Sequence, residues 1–206
     1  MNSLPKLFLG IFLVFAFAWV GLVALPYLNL GFLQPEVNEE AGTVLPQPRP
    51  GLAQLGSKVY ASEGCIYCHS QQVRPEWAGS DIERGWGLRR TVPRDYIYDR
   101  PVYLGTMRTG PDLSNIGARQ PSREWHHKHL YAPRVMSGQY STMPAYRYLY
   151  EMRPITGAPS DLALKFDTGV EIPDGYELVP TANAIALVEY LVSLNRNYSL
   201  EEAPVE

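Results

Sequence analysis

Cys65 and Cys68 are the only two thiols in a chain of 206 residues, and His69 follows the second directly. On one helical turn these residues stand at i, i+3 and i+4, so two sulfurs and an imidazole share a face. The pattern C-x-x-C-H is that of covalent c-type haem attachment, with thiols bonded to the porphyrin vinyls and the imidazole on iron. Other chemistries use the same residue types. A Cys2His2 zinc site could recruit His126 and His129, but the gap of two residues between them is shorter than usual, and His69 would have no role. A thioredoxin-like dithiol belongs near a βαβ pattern, which this sequence lacks. Two inert core thiols are the plain alternative. A disulfide between them would close too short a loop to constrain the unfolded chain. The spacing favours one covalently attached haem c, whose binding free energy then becomes folding free energy.

Iron held by His69 needs a sixth ligand or an open position. Met143 sits in YSTMPAY, where Pro144 restricts the backbone of its predecessor. Met107 in GTMRTGPDL and Met136 are rivals, and a methionine taken singly is more often packing than ligand. His126, His127 and His129 also compete, although their expected place is the surface or a helix face. Residue context leaves the choice open. A Met/His pair raises the potential relative to two imidazoles, and a saturated iron suits electron transfer better than O2 activation. With His69 used, four histidines are too few for a copper or binuclear centre, so no catalytic centre of its own is expected.

The elements that must carry these residues begin with an apolar run. From Leu7 to Leu25 no side chain is ionisable or carries an amide, and such a run spans roughly 28 Å as helix, close to the ~30 Å hydrocarbon core. One transmembrane helix is expected within residues 1–33, with Pro26 as its end point and Trp19 and Tyr27 near the distal interface. A cleaved signal peptide would have a shorter apolar stretch and a small-x-small site. Lys6 on the leading segment favours a cytoplasmic amino terminus and an extracytoplasmic remainder. Residues 34–51, with Pro46, Pro48 and Pro50, read as a tether in which neither helix nor strand persists. Residues 52–198 would form the haem domain and 199–206 a frayed tail.

Within that domain, Leu52, Leu55, Val59 and Tyr60 recur at helical spacing, with Gly56 as a gap where another backbone can approach. Residues 74–117 read as ordered loop. Ser122 caps a short helix that stops before Pro133, residues 150–180 resemble a loop insertion, and Ala184, Leu187, Val188, Leu191 and Leu194 form one stripe of a final helix. Net charge is −3, with Lys and Arg scattered among Asp and Glu, so nucleic acid is a poor partner.

The strings EGCIYCHSQQVRP, YIYDRPVYLGTMRTGPDLSNIG, EWHHKHLYAPR and STMPAYRYL occur in that order. Together they resemble the membrane-anchored mono-haem cytochrome c subunit (subunit II) of cbb3-type cytochrome c oxidases, over about residues 52–150 and, in kind, the anchor. The resemblance implies a mainly α fold: one N-terminal transmembrane helix, then a class I cytochrome c-like domain with long loops. The helix before the haem motif would cross the last helix, bringing Gly56 and Tyr60 to the region Tyr190–Leu194. It further implies Met143 as axial ligand, a Pro111 carbonyl receiving the His69 Nδ1 proton, and Arg108 at a haem propionate, with an ordinary surface charge as the alternative for Arg108. The implied place is the bacterial inner membrane, with the haem domain on the periplasmic side. The implied role is a relay from a soluble cytochrome c donor, or a second cytochrome c subunit, to the haem–copper catalytic subunit. Docking would use the anchor and the loops around Trp77, Trp86, Tyr96 and Tyr103, unless those rings pack around the haem. Alternatives are a nitric oxide reductase cytochrome subunit, another respiratory complex, or a haem-based sensor with five-coordinate iron. The strings Q-x-V-R-P and Y-D-R-P count against the first of these.

Overall fold

The computed structural model describes residues 3–38 and 42–205. The first two residues of the expected anchor, residues 39–41 of the expected tether and Glu206 of the expected tail lie outside the described residues.

The apolar run forms helix α1 (Leu4–Trp19), a π-helical turn (Val20–Ala24) and helix α2 (Leu25–Leu30), in which no residue is buried. As one element, Leu4–Leu30 is long and apolar enough to cross a membrane. Helix does not end at Pro26, contrary to expectation. Proline has no N–H and crowds the carbonyl four residues back; the turn just ahead is widened, with the Leu25 amide bonding Val20 O, and this lets the helix continue.

The tether is also more ordered than its prolines suggest. Strands β1 (Glu36–Asn38) and β2 (Thr43–Leu45) pair antiparallel, Val37 opposite Val44. Leu45 then packs with Val92, Tyr198, Leu200 and Ala203 in a small cluster of its own. The expected frayed tail is therefore docked: Leu200 and Ala203 are buried and pair backbone to backbone.

Helix α3 (Gly51–Ser62) buries Ala53, Gly56 and Tyr60. Short helices α4 (Ile116–Arg119), α5 (Arg123–Tyr131) and α6 (Pro133–Ser137) follow, α5 starting where the Ser122 hydroxyl accepts from the Trp125 amide and stopping before Pro133. The segment read as a loop insertion opens and closes with paired strands, β3 (Tyr150–Pro154) and β4 (Tyr176–Pro180), Met152 opposite Leu178. Partners so distant in sequence leave no local signal; Leu178 and Val179 are buried, and this cover fixes the register. The last helix, α7 (Ala182–Ser193), is capped by Thr181, whose hydroxyl accepts from the Ala184 amide and donates to Leu149 O.

Helices α3 and α7 cross at the core. A Cβ at Gly56 would overlap Ala186 O and lie 2.7 Å from Tyr190 Cβ, so only glycine permits this approach. Tyr60 and Tyr190 pack ring to ring at 5.3 Å, with Leu187, Val188, Leu191 and Leu194 in the same core. The mainly helical domain behind one apolar helix is the architecture expected from the resemblance.

Candidate haem-binding site

The cysteine motif follows α3 directly and forms one tight turn. The amides of Cys68 and His69 both bond to Cys65 O, at 3.2 and 3.0 Å, which brings the two sulfurs and the imidazole to one mouth. Cys65 is half-buried and Cys68 exposed, both as free thiols. Burial pushes the Cys65 thiol up to about 11, so it is held protonated.

A second segment, 110–114, is stapled along this turn. The Gly110 amide donates to Cys68 O at 2.9 Å and the Leu113 amide to Ser70 O at 2.8 Å. The fully buried Asp112 carboxylate closes the join, accepting from the Ser70 hydroxyl at 2.6 Å and from the amides of Gln72 and Ser114 at 2.7 and 2.8 Å. The outcome is a carbonyl held at a fixed place: Pro111 O accepts from His69 Nδ1 at 2.8 Å. The other ring nitrogen, Nε2, is then the one available to a metal, and the hydrogen bond fixes the plane of the ring. Gly110 lies flat against that ring, and a Cβ there would overlap Cε1 and stand 2.8 Å from Nδ1. Burial lowers the His69 pKa, the Pro111 bond opposing it, so the neutral form that binds metals is favoured.

Cys65, Cys68, His69 and Met143 line one cleft of about 820 Å3, walled by Leu113, Ile116, Leu130 and Leu191. This volume and apolar wall suit a cofactor-sized ligand. Met143 is half-buried against the core. Its rivals divide: Met107 and Met136 do not line the cleft, whereas His126 and His129 do and His127 does not. Of the expectation of a surface or helix-face place, His126 and His127 keep the helix and lose the surface: they are buried on α5 and bond to Gln120 O at 2.8 Å and the Tyr150 hydroxyl at 3.1 Å. His129 was not singled out by its context, yet its Nε2 stands 3.1 Å from Met143 Sδ.

Arg108 does not line the cleft. Its guanidinium pairs with Asp81 at 2.6 Å, donates to Ser70 Oγ at 2.9 Å and to Gln72 O at 2.5 Å, and covers Trp86. In these contacts it braces the segment that follows His69. Of the aromatic residues expected to dock, Trp77 is 89% exposed, whereas Trp86, Tyr96 and Tyr103 are half-buried, Tyr96 donating to Gln71 O and Tyr103 packing on Tyr60.

The residues present fit a covalently bound haem on structural grounds. Two free thiols and the imidazole nitrogen not used by Pro111 share an apolar cleft with a thioether, and Gly110, pressed on the imidazole, has no side chain.

A search of curated proteins found no match. A family model described as "Cytochrome C oxidase, mono-heme subunit/FixO" matches residues 4–196, from the apolar helix to beyond α7. By that match over almost its whole length, the chain belongs to the FixO family of mono-haem cytochrome c oxidase subunits.

Proposed function

We propose that this chain is the single-span electron relay of its oxidase, taking electrons from a cytochrome c donor or a second cytochrome c subunit and passing them to the haem–copper catalytic subunit. The observation that carries the reading is the convergence of Cys65, Cys68, His69 and Met143 on one apolar cleft, with Pro111 O holding the imidazole. Haem c bound there supplies a reversible one-electron iron couple. The Cys65 and Cys68 thiols would hold it covalently through its vinyl groups. His69 Nε2 and Met143 Sδ would hold its iron, a donor pair that suits electron transfer better than O2 chemistry. Leu113, Ile116, Leu130 and Leu191 exclude water from the site, and the low dielectric they create would tune the potential of the bound group. Arg108, bonded to Asp81 and Ser70, acts as a brace for the turn. Leu4–Leu30 is the anchor, its amino terminus cytoplasmic and the haem domain on the periplasmic face of a bacterial inner membrane.

The test uses the full chain purified from membranes. The oxidised protein is expected to show a near-infrared sulfur-to-iron charge-transfer band, and Met143→Ala to abolish it with the haem still attached. A band that persists in Met143→Ala removes the ligand assignment. A tagged chain is expected to bring down a membrane subunit holding haem b and copper; purification without one overturns the relay.

A further inference from the structure

Met143 Sδ has a neighbour that the haem motif does not account for. His129 Nε2 lies 3.1 Å from it, while His129 Nδ1 lies 3.1 Å from the Ser137 hydroxyl. A thioether has no hydrogen and can only accept, so the contact to sulfur is favourable only if Nε2 carries the proton. Nδ1 is then a bare acceptor, and Ser137 can donate to it. The Nε2–H tautomer satisfies both contacts, whereas a proton on Nδ1 could still go to the Ser137 oxygen but would leave the sulfur facing a bare nitrogen lone pair. Trp125 lies parallel to the imidazole, centroids 4.6 Å apart and planes 8° apart, which fixes the plane of the ring. Trp125 and His129 sit on α5 and Ser137 ends α6, whereas Met143 lies on the loop that follows.

From this geometry we infer that His129 is a positioning residue for the thioether, its Nε2–H occupying one sulfur lone pair so that the other is presented to the iron. This rests on the reading of the cleft as a haem site with Met143 as ligand. Two effects follow. Sulfur, which can turn about the three rotatable bonds of the Met143 side chain, is confined to one orientation. The positive end of the N–H dipole, beside the ligand, also opposes the extra charge of ferric iron, so it raises the potential. His129 is thus neither a ligand nor a spare surface histidine.

The experiment compares wild type, His129→Phe and His129→Gln as full chains in detergent, by spectroelectrochemical titration. Covalent haem is first verified in each by its reduced pyridine spectrum. Phe keeps the flat ring against Trp125 and loses the donor; Gln restores an amide donor. The expected result is a lower potential in His129→Phe, by about threefold to tenfold in the redox equilibrium, tenfold being 59 mV for one electron. His129→Gln recovers at least half of it. The charge-transfer band persists in both, at a shifted position. An unchanged potential in His129→Phe, or an equal fall in both variants, overturns the inference, the second because it assigns the ring to packing alone. If His129→Phe yields no holoprotein, Ser137→Ala decides: a fall in the same direction supports the tautomer lock, and an unchanged potential overturns it. Wild type without covalent haem, or without the band, is the failure of the underlying reading, and so differs from either outcome.

Discussion

Gly110 is the residue on which the imidazole rests. A methyl there would overlap His69 Cε1, and the ring cannot retreat without leaving Pro111 O. Overpacking against a group held on both sides costs about 1–3 kcal/mol. Gly110→Ala is therefore expected to lower the haem-to-protein ratio of purified chain about tenfold, and an unchanged ratio would show that the ring is free to move. Asp81 has a different signature. Burial raises its carboxyl, but hydrogen bonds from Arg74 and Arg108 outweigh that and bring it down to about 2. A depressed carboxylate stabilises the fold fully above its unfolded value near 4, and the contribution disappears as pH falls through the folded value. Between about pH 4 and pH 2 the wild type should lose roughly 1–2 kcal/mol that Asp81→Asn never has, allowing for screening at Arg74, which is 40% exposed. Parallel unfolding curves for the two proteins across that window would refute it.

At the scale of elements, the haem turn depends on how closely α3 meets α7. Gly56→Ala places a carbon in the Ala186 carbonyl, which is backbone and cannot rotate aside. The cost is expected to be at least about 3 kcal/mol, the upper end for an overpacked core, read as a fall in the denaturant midpoint. A midpoint within experimental scatter of wild type would mean the helices can separate. How much of this was legible in the sequence follows from the range of each signal. The motif Cys65–His69 and the stripe Ala184–Leu194 are local periodicities, and both appear where their spacing put them. Gly56 was readable as a gap, because a glycine in an apolar helix has few other uses. The hairpin of β3 and β4 was not, because its partners are far apart and its register depends on the burial of Leu178. His129 escaped for the same reason: its meaning lies in Met143, on another segment, and no spacing within α5 announces it. The Met143 assignment came from resemblance, and residue types alone left it among several rivals.

The whole molecule gains a constraint from the segments read as loose. Arg94 donates to Gln34 O and pairs with Glu202 at 3.1 Å and Glu36 at 3.8 Å, so one guanidinium joins the exit of the apolar helix to the final segment. Arg49 and Arg196 share the Asp99 carboxylate, Arg196 at 2.7 Å and almost fully buried. With Leu45 packed on Val92, Leu200 and Ala203, the end of the tether is clamped to the helical domain instead of running free. The clamp rests on few side chains and should open by itself. Leu200→Ala removes its largest buried aliphatic group, at a cost near the low end of ~2–5 kcal/mol for such a truncation. Opening at ~2 kcal/mol less means roughly thirtyfold more of the open form, and cleavage by a nonspecific protease follows that population when closing is fast. Leu200→Ala should thus be cut in residues 34–51 about thirtyfold faster than wild type, with the haem spectrum and axial band unaltered. Equal cleavage rates would mean that the tether is held by something other than this cluster, and a changed spectrum would mean that the cleft and the clamp are one unit.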